Sequence, residues 1–552
     1  MNLLYYGDNL KILREEIAEK SIDTIYLDPP FNSKATYNML FKELNGTPSA
    51  AQAHAFEDNW IWDINSKATY EELVANGSGK LPELMEAFHS FLGENAMLAY
   101  LTMMAVRLVE MQRVLKDSGC LWLHCDPVAS HYLKLVLDAI FGPANFRNEI
   151  IWRRYKRPKG SQHDARKFGS STDTILFYSK SNDFNFYPDS LRVAISEEEF
   201  QKRYTHTDEK GSYYSGPLLR SSSMGLRPNL VYEYKGFTPG PEGWRMTKEK
   251  IEELDDQGDL FWTKTGIPRR KVRPQEEAVS FVDNLWTDIE ALGSQAAERL
   301  GYPTQKPEAL LKRIIEATCP EDGVVLDPFV GCGTAVIAAE RMGRQWMGID
   351  ITYLSVVVMR RRLEDTFGSK LHPYQVKGNP TDAAGAKALA EESEHDGRYQ
   401  FQWWAVDLVG GHPLGGEKKK GSDKGIDGII RFFDDDSGKA KKIIISVKSG
   451  KVGSKDVRDL NGTVKREKAQ IGCLITLSPP TKPMKDEAVE EGFYQAVAPD
   501  GVTWFDPVPK IQILSVDGLL NGTERLQYSR MHESTFQKAE LHKEEVEEGG
   551  LF

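Results

Sequence analysis

The segment VVLDPFVGCGTAVIAAERMGRQWMGIDI, from Val324 to Ile351, decides the fold. Its first apolar run ends at Asp327 and is typical of a buried strand, and an apolar-faced helix is predicted to begin at Thr334. A glycine-bearing turn separates the two, and a second apolar run ends at Asp350. Strand, turn, helix and strand in this order indicate one unit of a parallel α/β sheet.

The turn itself, Gly331-Cys332-Gly333, indicates a ligand site. Glycine tolerates positive φ and lets a ligand approach the backbone, and the following helix N-terminus offers unpaired N–H groups. Asp350 ends the next strand, where nucleotide-binding folds place an acceptor for ribose hydroxyls. No lysine follows the turn to hold a terminal phosphate, so a nucleoside triphosphate is disfavoured.

Further strands and helices alternate along the chain. IDTIYLD and GCLWLHCD are strand-like apolar runs, whereas AYLTMMAVRLVEMQRVLKDSG and KPEALLKRIIEAT have helical periodicity. Such alternation predicts an α/β fold of Rossmann-like type, with a doubly wound, mostly parallel sheet.

Changes in composition divide the chain into domains. The sheet-forming parts are 1–148 and 285–367, and 149–284, rich in Tyr, Ser, Gly, Pro and charge, is expected to be an insert. We predict a polar linker over 368–398 and a second α/β domain over 399–552.

The overall composition is that of an ordinary soluble protein. The 552 residues are 40% hydrophobic and 27% charged, with a formal net charge of −11. The five cysteines show no CxxC spacing, and neither a signal peptide nor a membrane-spanning apolar run is recognisable. We therefore expect a cytoplasmic protein with reduced, mostly buried thiols and no membrane partner.

The stretch LDPPFNS, Leu27 to Ser33, directly follows the predicted strand IDTIYLD. Two prolines fix φ and remove two backbone donors, so this stretch is neither helix nor central strand. The sequence predicts a rigid, exposed turn at the end of a buried strand.

Two segments are locally basic. Ile150 to Ser170 carries seven Lys or Arg against one Asp, with aromatic residues between them, and Thr263 to Arg273 forms a second cluster. Since phosphate attraction acts locally, both are candidate DNA contacts, although each is also compatible with a solvated basic loop. The candidate residues are Arg153, Arg154, Lys156, Arg157, Arg269 and Arg270.

The motifs DPFVGCGT, DPPF, YPTQKPEAL and YYGDNL together resemble the S-adenosylmethionine-dependent DNA amino-methyltransferases, in the beta order in which DPPF precedes the cofactor loop. The resemblance covers Met1 to Thr366 and implies S-adenosylmethionine as the cofactor. It implies that the cofactor is bound by Asp8, Thr304, Lys306, Asp327, Phe329, Gly331, Gly333, Thr334 and Asp350.

The same resemblance implies that the rigid turn is the catalytic site, formed by Asp28, Pro29, Pro30 and Phe31. Asp28 and the Pro29 carbonyl would accept hydrogen bonds from the target amino group, and Pro30 would help to keep these acceptors fixed. Phe31 would stack on the base, which must leave the duplex to be reached.

Substrate identity is less tightly constrained. DPPF resembles the adenine-N6 members more than the SPPY cytosine-N4 members, so adenine is favoured and cytosine N4 is the alternative. Glutamine methylators have Asn in place of Asp28 and lack the insert, which makes double-stranded DNA the better candidate than protein or RNA. The insert would then be the target-recognition region.

The C-terminal segment from Gly421 resembles the Mrr-type branch of the PD-(D/E)xK restriction nucleases. Asp427 and Lys448 match the pattern, but Ser446 stands where a carboxylate would help to hold Mg²⁺. Asp427 is therefore a weak Mg²⁺ candidate, and the domain is expected to bind DNA, to cleave it slowly, or to have no DNA role.

Two interpretations of the whole chain stay open. The first is a modification enzyme of a restriction-modification system, with or without built-in cleavage. The second is a DNA-binding subunit that works with a separate restriction subunit. The sequence does not decide whether the chain forms a homodimer.

Overall fold

The computed structural model describes residues 1–30, 36–42, 48–57, 61–155, 166, 168–194, 197–274, 279–293, 296, 298–299, 305–392, 397–413, 425–434, 440–496 and 506–529. Its strands are β1 (Asn2–Tyr6), β2 (Ile22–Leu27), β3 (Thr36–Lys42), β4 (Pro48–Glu57), β5 (Leu115–Cys125), β6 (Phe146–Arg153), β7 (Thr172–Ser179), β8 (Arg192–Ala194), β9 (His206–Asp208), β10 (Gly211–Pro217), β11 (Leu260–Trp262), β12 (Pro268–Val272), β13 (Val279–Phe281), β14 (Leu285–Trp286), β15 (Val324–Asp327), β16 (Gln345–Asp350), β17 (Tyr374–Lys377), β18 (His412–Pro413), β19 (Gly428–Phe432), β20 (Lys441–Lys448), β21 (Ile471–Thr476), β22 (Phe493–Tyr494), β23 (Val508–Pro509) and β24 (Ile511–Ser515).

The helices lie between these strands. They are α1 (Asn9–Glu15), α2 (Ile64–Asn76), α3 (Leu81–Leu92), α4 (Ala96–Val114), α5 (Ser130–Phe141), α6 (Glu197–Arg203), α7 (Lys248–Asp256), α8 (Glu308–Thr318), α9 (Thr334–Arg341), α10 (Tyr353–Phe367), α11 (Ala383–Glu391), α12 (Gly397–Leu408), α13 (Ser454–Arg466), α14 (Lys482–Glu490) and α15 (Val516–Leu520).

The largest sheet in the described residues has the strand order β14-β6-β7-β5-β2-β15-β16-β1-β17. Its pairs are parallel except those that β7 makes with β5 and β6. The predicted α/β fold with a doubly wound, mostly parallel sheet is confirmed, and the carboxyl ends of β2, β15 and β16 meet at one edge.

Most predicted elements form where the apolar pattern placed them, but the helix predicted over AYLTMMAVRLVEMQRVLKDSG ends at Val114, and its last five residues begin β5. All six residues of β2 are buried, as the run IDTIYL requires of a central strand. Helix α4 is buried on most of its surface, and the side chain of Asn95 caps it by accepting from Leu98 N at 3.0 Å.

The insert begins later than expected. Residues Pro188–Asp283 form a compact unit with a small core of Leu218, Trp244, Ile251 and Leu260. Residues 149–187 belong to the larger unit, because β6 and β7 are strands of the main sheet. The predicted start of the insert at 149 is corrected to 188. Strand β7 lies antiparallel between β5 and β6 of the main sheet, and its local sequence does not reveal these partners.

The segment 368–398 is not a simple linker. Within it β17 pairs in parallel with β1, and α11 packs on α12. This part of the prediction is corrected: β17 is a half-exposed edge strand, so it lacks the apolar run that marks a central strand.

The C-terminal domain has a sheet of order β18-β19-β20-β21-β24. Helices α13 and α14 cover it, with a core that includes Ile444, Leu460 and Leu474. This domain and the main sheet belong to one compact unit. All five cysteines are buried free thiols, and no described helix is long and apolar enough to cross a membrane.

Candidate active site

A cavity of about 200 Å³ opens at the carboxyl edge where β2, β15 and β16 end. Ligands bind at this edge in open parallel sheets. Most of the residues predicted for catalysis and cofactor binding line it together: Asp8, Asp28, Pro29, Pro30, Lys306, Asp327, Phe329, Gly331, Thr334 and Asp350. Phe31 and Thr304 lie outside the described residues.

The glycine turn has the conformation that its sequence predicts. Gly331 and Gly333 have φ values of 51° and 79°, in the region that favours glycine. A Cβ on Gly333 would lie 2.5 Å from Cγ of Met359, so the space behind the turn is already filled. Any side chain at this position would clash with Met359, so the turn requires glycine here.

Asp350 ties the turn to the strand that follows it. Its Oδ2 accepts from Gly331 N at 2.9 Å, and its Oδ1 accepts from Thr352 N at 2.8 Å and Thr352 Oγ1 at 2.9 Å. Burial raises the pKa of Asp350 even though these bonds favour the charged form. The carboxylate holds the turn and helix start together while it lines the cavity.

Asp327 is buried at the end of β15 and accepts from Phe329 N at 3.1 Å. Burial raises its pKa to about 8, and the nearby carboxylates of Asp28 and Asp350 contribute to the rise. Four carboxyl groups, those of Asp8, Asp28, Asp327 and Asp350, thus line one cavity, which favours a ligand that brings positive charge or hydrogen-bond donors.

Asp28 lies at the end of β2 and forms an ion pair with Nζ of Lys306, both side chains being largely buried. Its Oδ1 is buried and has no hydrogen-bond partner among the described residues. A buried oxygen without a donor is destabilising unless a ligand supplies one. Asp28 is therefore an acceptor prepared for a donor that enters the cavity.

Asp8 is held by residues that the sequence analysis missed. Arg107 Nη2 donates to Asp8 Oδ1 at 2.6 Å, and its Nε donates to Asn9 Oδ1 at 2.5 Å. Asn9 Nδ2 in turn donates to the Pro328 carbonyl at 2.8 Å. This network fixes the YYGDNL segment to the DPF segment, and no local signal at Arg107 indicates it.

Arg362 on α10 is a second residue that was missed. Its Nη1 donates to the Cys332 carbonyl at 3.0 Å and to Thr334 Oγ1 at 3.1 Å. Arg362 is buried, and these hydrogen bonds hold the glycine turn and the first residue of α9 against α10. Burial also raises the pKa of the Cys332 thiol.

A buried polar chain runs along the same sheet edge away from Asp28. Tyr26 Oη lies 3.1 Å from His124 Nδ1, and His124 Nε2 lies 3.0 Å from Asp173 Oδ2. Burial raises the pKa of Asp173, but the His124 contact and the charges of Arg154 and Lys306 outweigh it and leave the pKa lowered. The chain connects the cavity wall at Tyr26 to the basic segment.

The predicted DNA contacts differ in how they are held. Arg154 Nε lies 3.2 Å from Asp173 Oδ1, whereas Arg153 ends β6 opposite Thr172. Lys156 and Arg157 lie outside the described residues. In the insert unit, Arg269 donates to Ser215 Oγ at 2.9 Å, and Nε of Arg270 is buried without a partner among the described residues.

The other basic residues of the PRRKVR segment, Lys271 and Arg273, form ion pairs within the insert unit. Lys271 Nζ contacts Asp208 at 2.7 Å, and Arg273 contacts Asp208 at 2.7 Å and Asp259 at 2.8 Å. These contacts leave Arg270 as the better DNA candidate of the PRRKVR segment.

Asp427 and Ser446 come together in the C-terminal domain, but not as an open metal site. Asp427 Oδ2 accepts from Val447 N at 2.6 Å and from Ser446 Oγ at 3.3 Å. The described residues hold no cluster of three or more His, Cys, Asp or Glu side chains suited to a metal. Lys448 ends the same strand, yet one carboxylate occupied by backbone does not fit Mg²⁺.

The protein is a doubly wound α/β protein, and its cavity lies at the carboxyl edge of the sheet, where such folds bind ligands. The N6/N4 methyltransferase family model, described as DNA methylase, matches residues 22–354. The chain therefore belongs to this family of DNA methyltransferases. A second model, described as NACHT-associated inactive Restriction Endonuclease 1, matches residues 410–498, so the C-terminal domain is restriction-endonuclease-like.

Curated relatives include the type II methyltransferase M.EcaI of Enterobacter cloacae, 31% identical over 55% of this chain and 69% of its own length. The Mod subunit of the type III restriction-modification enzyme StyLTI of Salmonella typhimurium is 27% identical over 62% of this chain and 50% of its own. A solved structure, TTHA0409 of Thermus thermophilus complexed with S-adenosyl-L-methionine, covers 69% of this chain and 100% of its own at 14% identity and a TM-score of 0.33.

Proposed function

We propose that the protein transfers the methyl group of S-adenosylmethionine to the amino group of a base in double-stranded DNA, with adenine N6 as the target. The observation that carries this proposal is the buried Oδ1 of Asp28, which has no hydrogen-bond partner among the described residues and belongs to a residue that lines the same cavity as Gly331 and Asp350.

The cavity suits an S-adenosylmethionine cofactor. Asp350 and Asp8 would hold its nucleoside part, and the glycine turn with Asp327 and Phe329 would hold its methionine part. The carboxyl groups of the cavity suit a ligand that carries a sulfonium and an ammonium charge. Bound there, the cofactor supplies an electrophilic methyl group.

The role of Asp28 follows from the chemistry of an aromatic amine. The amino lone pair is delocalised into the ring, so the nitrogen is a poor nucleophile. A carboxylate oxygen that accepts one amino N–H, together with the Pro29 carbonyl for the other, favours a pyramidal nitrogen with its lone pair available. Pro29 and Pro30 keep both acceptors fixed, which supplies orientation before the reaction begins.

The target base must leave the duplex to reach Asp28. Phe31 would stack on it, and the insert unit, with Arg269 and Arg270, would contact the DNA as the target-recognition region. Adenine is proposed because the motif reads DPPF, and cytosine N4 is the alternative product because both amines fit the same acceptors.

Methylation of plasmid DNA with methyl-labelled S-adenosylmethionine, followed by digestion to nucleosides, tests this proposal. Label in N6-methyldeoxyadenosine is expected, and an Asp28→Ala variant serves as the control. Label in N4-methyldeoxycytidine would replace adenine by cytosine as the target. Label found only in protein or RNA would overturn the proposal.

For the C-terminal domain we propose DNA binding or docking without efficient cleavage. The occupied carboxylate of Asp427 and the neutral Ser446 favour this function. The likeness to a Mod subunit of a type III enzyme supports a separate restriction subunit as a partner. Cleavage assays with Mg²⁺ or Mn²⁺, with and without restriction partners from the same cell, test this part.

A further inference from the structure

Helix α10 connects the cofactor-loop side of the cavity with the C-terminal domain. It begins three residues after Asp350 and carries different contacts on different faces. On one face, Arg362 donates to the Cys332 carbonyl and Thr334, and Met359 packs behind Gly333. Any shift of α10 therefore moves the support of the glycine turn.

Another face of α10 is bound by α12. Arg360 Nη1 donates to Asp407 Oδ2 at 2.7 Å, and Tyr353 Oη lies 3.3 Å from the same oxygen. Arg361 donates to the Gly411 carbonyl and contacts His412 Nδ1. Helix α12 in turn packs on β18 and β20 of the endonuclease-like sheet.

The contact nearest to the cavity is made by Gln400 of α12. Its Oε1 accepts from Tyr353 N at 2.7 Å, and both residues are almost fully buried. Tyr353 is the first residue of α10, so this N–H has no partner within the helix. Gln400 completes the helix cap that Thr352 begins by accepting from Ser355 N.

A short series of bonds then leads from Gln400 to the cavity. Thr352 is the residue before Tyr353, and it donates twice to Asp350 Oδ1. Asp350 Oδ2 accepts from Gly331 N in the glycine turn. The Gln400 acceptor from α12 thus binds the residue that follows Thr352, and Thr352 in turn binds the Asp350 carboxylate that holds the glycine turn.

We infer that Gln400 is a positioning residue for the cofactor pocket, and that the endonuclease-like domain is coupled through α10 to cofactor binding. The inference rests on the proposed function. Without the Gln400 acceptor, the buried Tyr353 N–H is unpaired, which costs free energy. Conformations in which the start of α10 shifts and this N–H finds another partner are then favoured. The conformation that binds the cofactor is then less populated, and the apparent affinity falls by that fraction.

Coupling of this kind is reciprocal. If the C-terminal domain favours cofactor binding, cofactor binding must stabilise the contacts of α12 by the same factor. The domain, in which Oδ2 of Asp427 already accepts from the backbone N–H of Val447, would then have a role in the methyltransferase itself.

The test uses the full chain and S-adenosylmethionine, with affinity measured by calorimetry. Gln400→Met removes the acceptor at nearly constant volume and should weaken binding roughly tenfold, whereas Gln400→Glu keeps an oxygen at this place and should stay near wild type. Gln512→Met is the matched control: Gln512 is also buried, and its amide bonds Gln527 at 2.7 Å within the C-terminal domain. It should destabilise that domain without changing the affinity.

Hydrogen exchange of the wild-type protein gives a readout that needs no variant. Cofactor should slow exchange across 397–408, and the KM for S-adenosylmethionine should rise in Gln400→Met more than kcat falls. Equal affinity in wild type and Gln400→Met, or unchanged exchange in 397–408, would overturn the coupling while leaving the proposed function intact. Failure of the wild type to bind S-adenosylmethionine would remove both.

Discussion

Asp28 and Asp427 each stand at the end of a buried strand or just before one, and each was predicted from sequence as a site residue. Asp28 has a buried oxygen without a partner among the described residues and lines a cavity of about 200 Å³. Asp427 instead accepts from Val447 N and Ser446 Oγ, both within its own sheet. The same residue type therefore keeps an oxygen without a partner among the described residues in one domain and is bound by its own sheet in the other.

The difference shows what makes a strand-end carboxylate a functional group. Around Asp28, prolines remove backbone N–H groups that would otherwise fill its acceptors. Around Asp427, an ordinary strand presents its N–H at 2.6 Å. Unsatisfied hydrogen-bonding capacity, rather than the aspartate alone, distinguishes the two sites.

The largest expected effect is at Asp28. Asp28→Ala should lower methyl transfer by roughly 10³-fold or more, because it removes the acceptor of the amino group. S-adenosylmethionine affinity should survive, since the glycine turn and Asp350 are untouched; calorimetry checks this. An equal loss of cofactor affinity would show that Asp28 has a cofactor-binding role instead.

The basic segment comes next. Arg153→Gln with Arg154→Gln should weaken DNA binding and reduce the salt slope by roughly one unit for each phosphate interaction that is removed. Arg154 should contribute less than Arg153, because Asp173 already holds it. Fluorescence anisotropy at several salt concentrations measures the slope. Lys387→Gln, the same charge change at an exposed residue outside the insert that is paired with Glu391, should leave it unaltered.

At Asp427 the expected effect is on stability. Asp427→Ala leaves the buried Val447 N–H unpaired, which should destabilise the C-terminal domain by about 1–3 kcal/mol. Methyl transfer should persist. Denaturant unfolding monitored with a probe in this domain gives the change, and Asp517→Ala, at an exposed helix position, should have little effect. A loss of DNA cleavage without a loss of stability would indicate a working nuclease instead.

Ser446→Glu sharpens the comparison in the opposite direction. It restores the acidic residue of the nuclease pattern, so cutting of unmethylated DNA with Mg²⁺ or Mn²⁺ should rise from a low or absent level. Asp427→Ala should abolish whatever cleavage there is. Efficient, Asp427-dependent cutting by the unaltered protein would contradict the inference that Asp427 and Ser446 hold Mg²⁺ poorly.

The smallest effect concerns pH. Because burial raises the pKa of Asp327 to about 8, the folded protein holds a proton there that the unfolded chain releases near pH ~4. The stability from this group is present at low pH and is lost as pH rises towards and through 8. The unfolding temperature of the cofactor-free protein should therefore fall as pH rises from about 4 to about 8, and should fall less in Asp327→Asn. A parallel decline in both proteins would assign the pH dependence to other groups.

The sequence predicted local features well. The unit from β15 to β16 was readable because its apolar runs, glycines and strand-end acids lie within one short segment. The positions of Asp28, Asp327 and Asp350 around one cavity followed from the resemblance in motif order. These features depend on neighbours in sequence.

Contacts between distant segments were not readable. Arg107 reaches Asp8 across 99 residues, and Gln400 reaches Tyr353 across 47. Nothing in the sequence around either donor or acceptor specifies the partner, because the packing of whole helices brings them together. The pairing of the antiparallel strand β7 and of the edge strand β17 with the main sheet was not predicted, for the same reason.

The position of β1 has a consequence for how the protein is made. This strand, at the very start of the described chain, pairs on one side with β16 and on the other with β17, and Asn2 bonds Trp346 across 344 residues. During synthesis, β1 has no sheet partners until β16 and β17 have been translated. Such long-range closure slows folding and exposes unpaired strand edges meanwhile, so the nascent chain is expected to depend on chaperones.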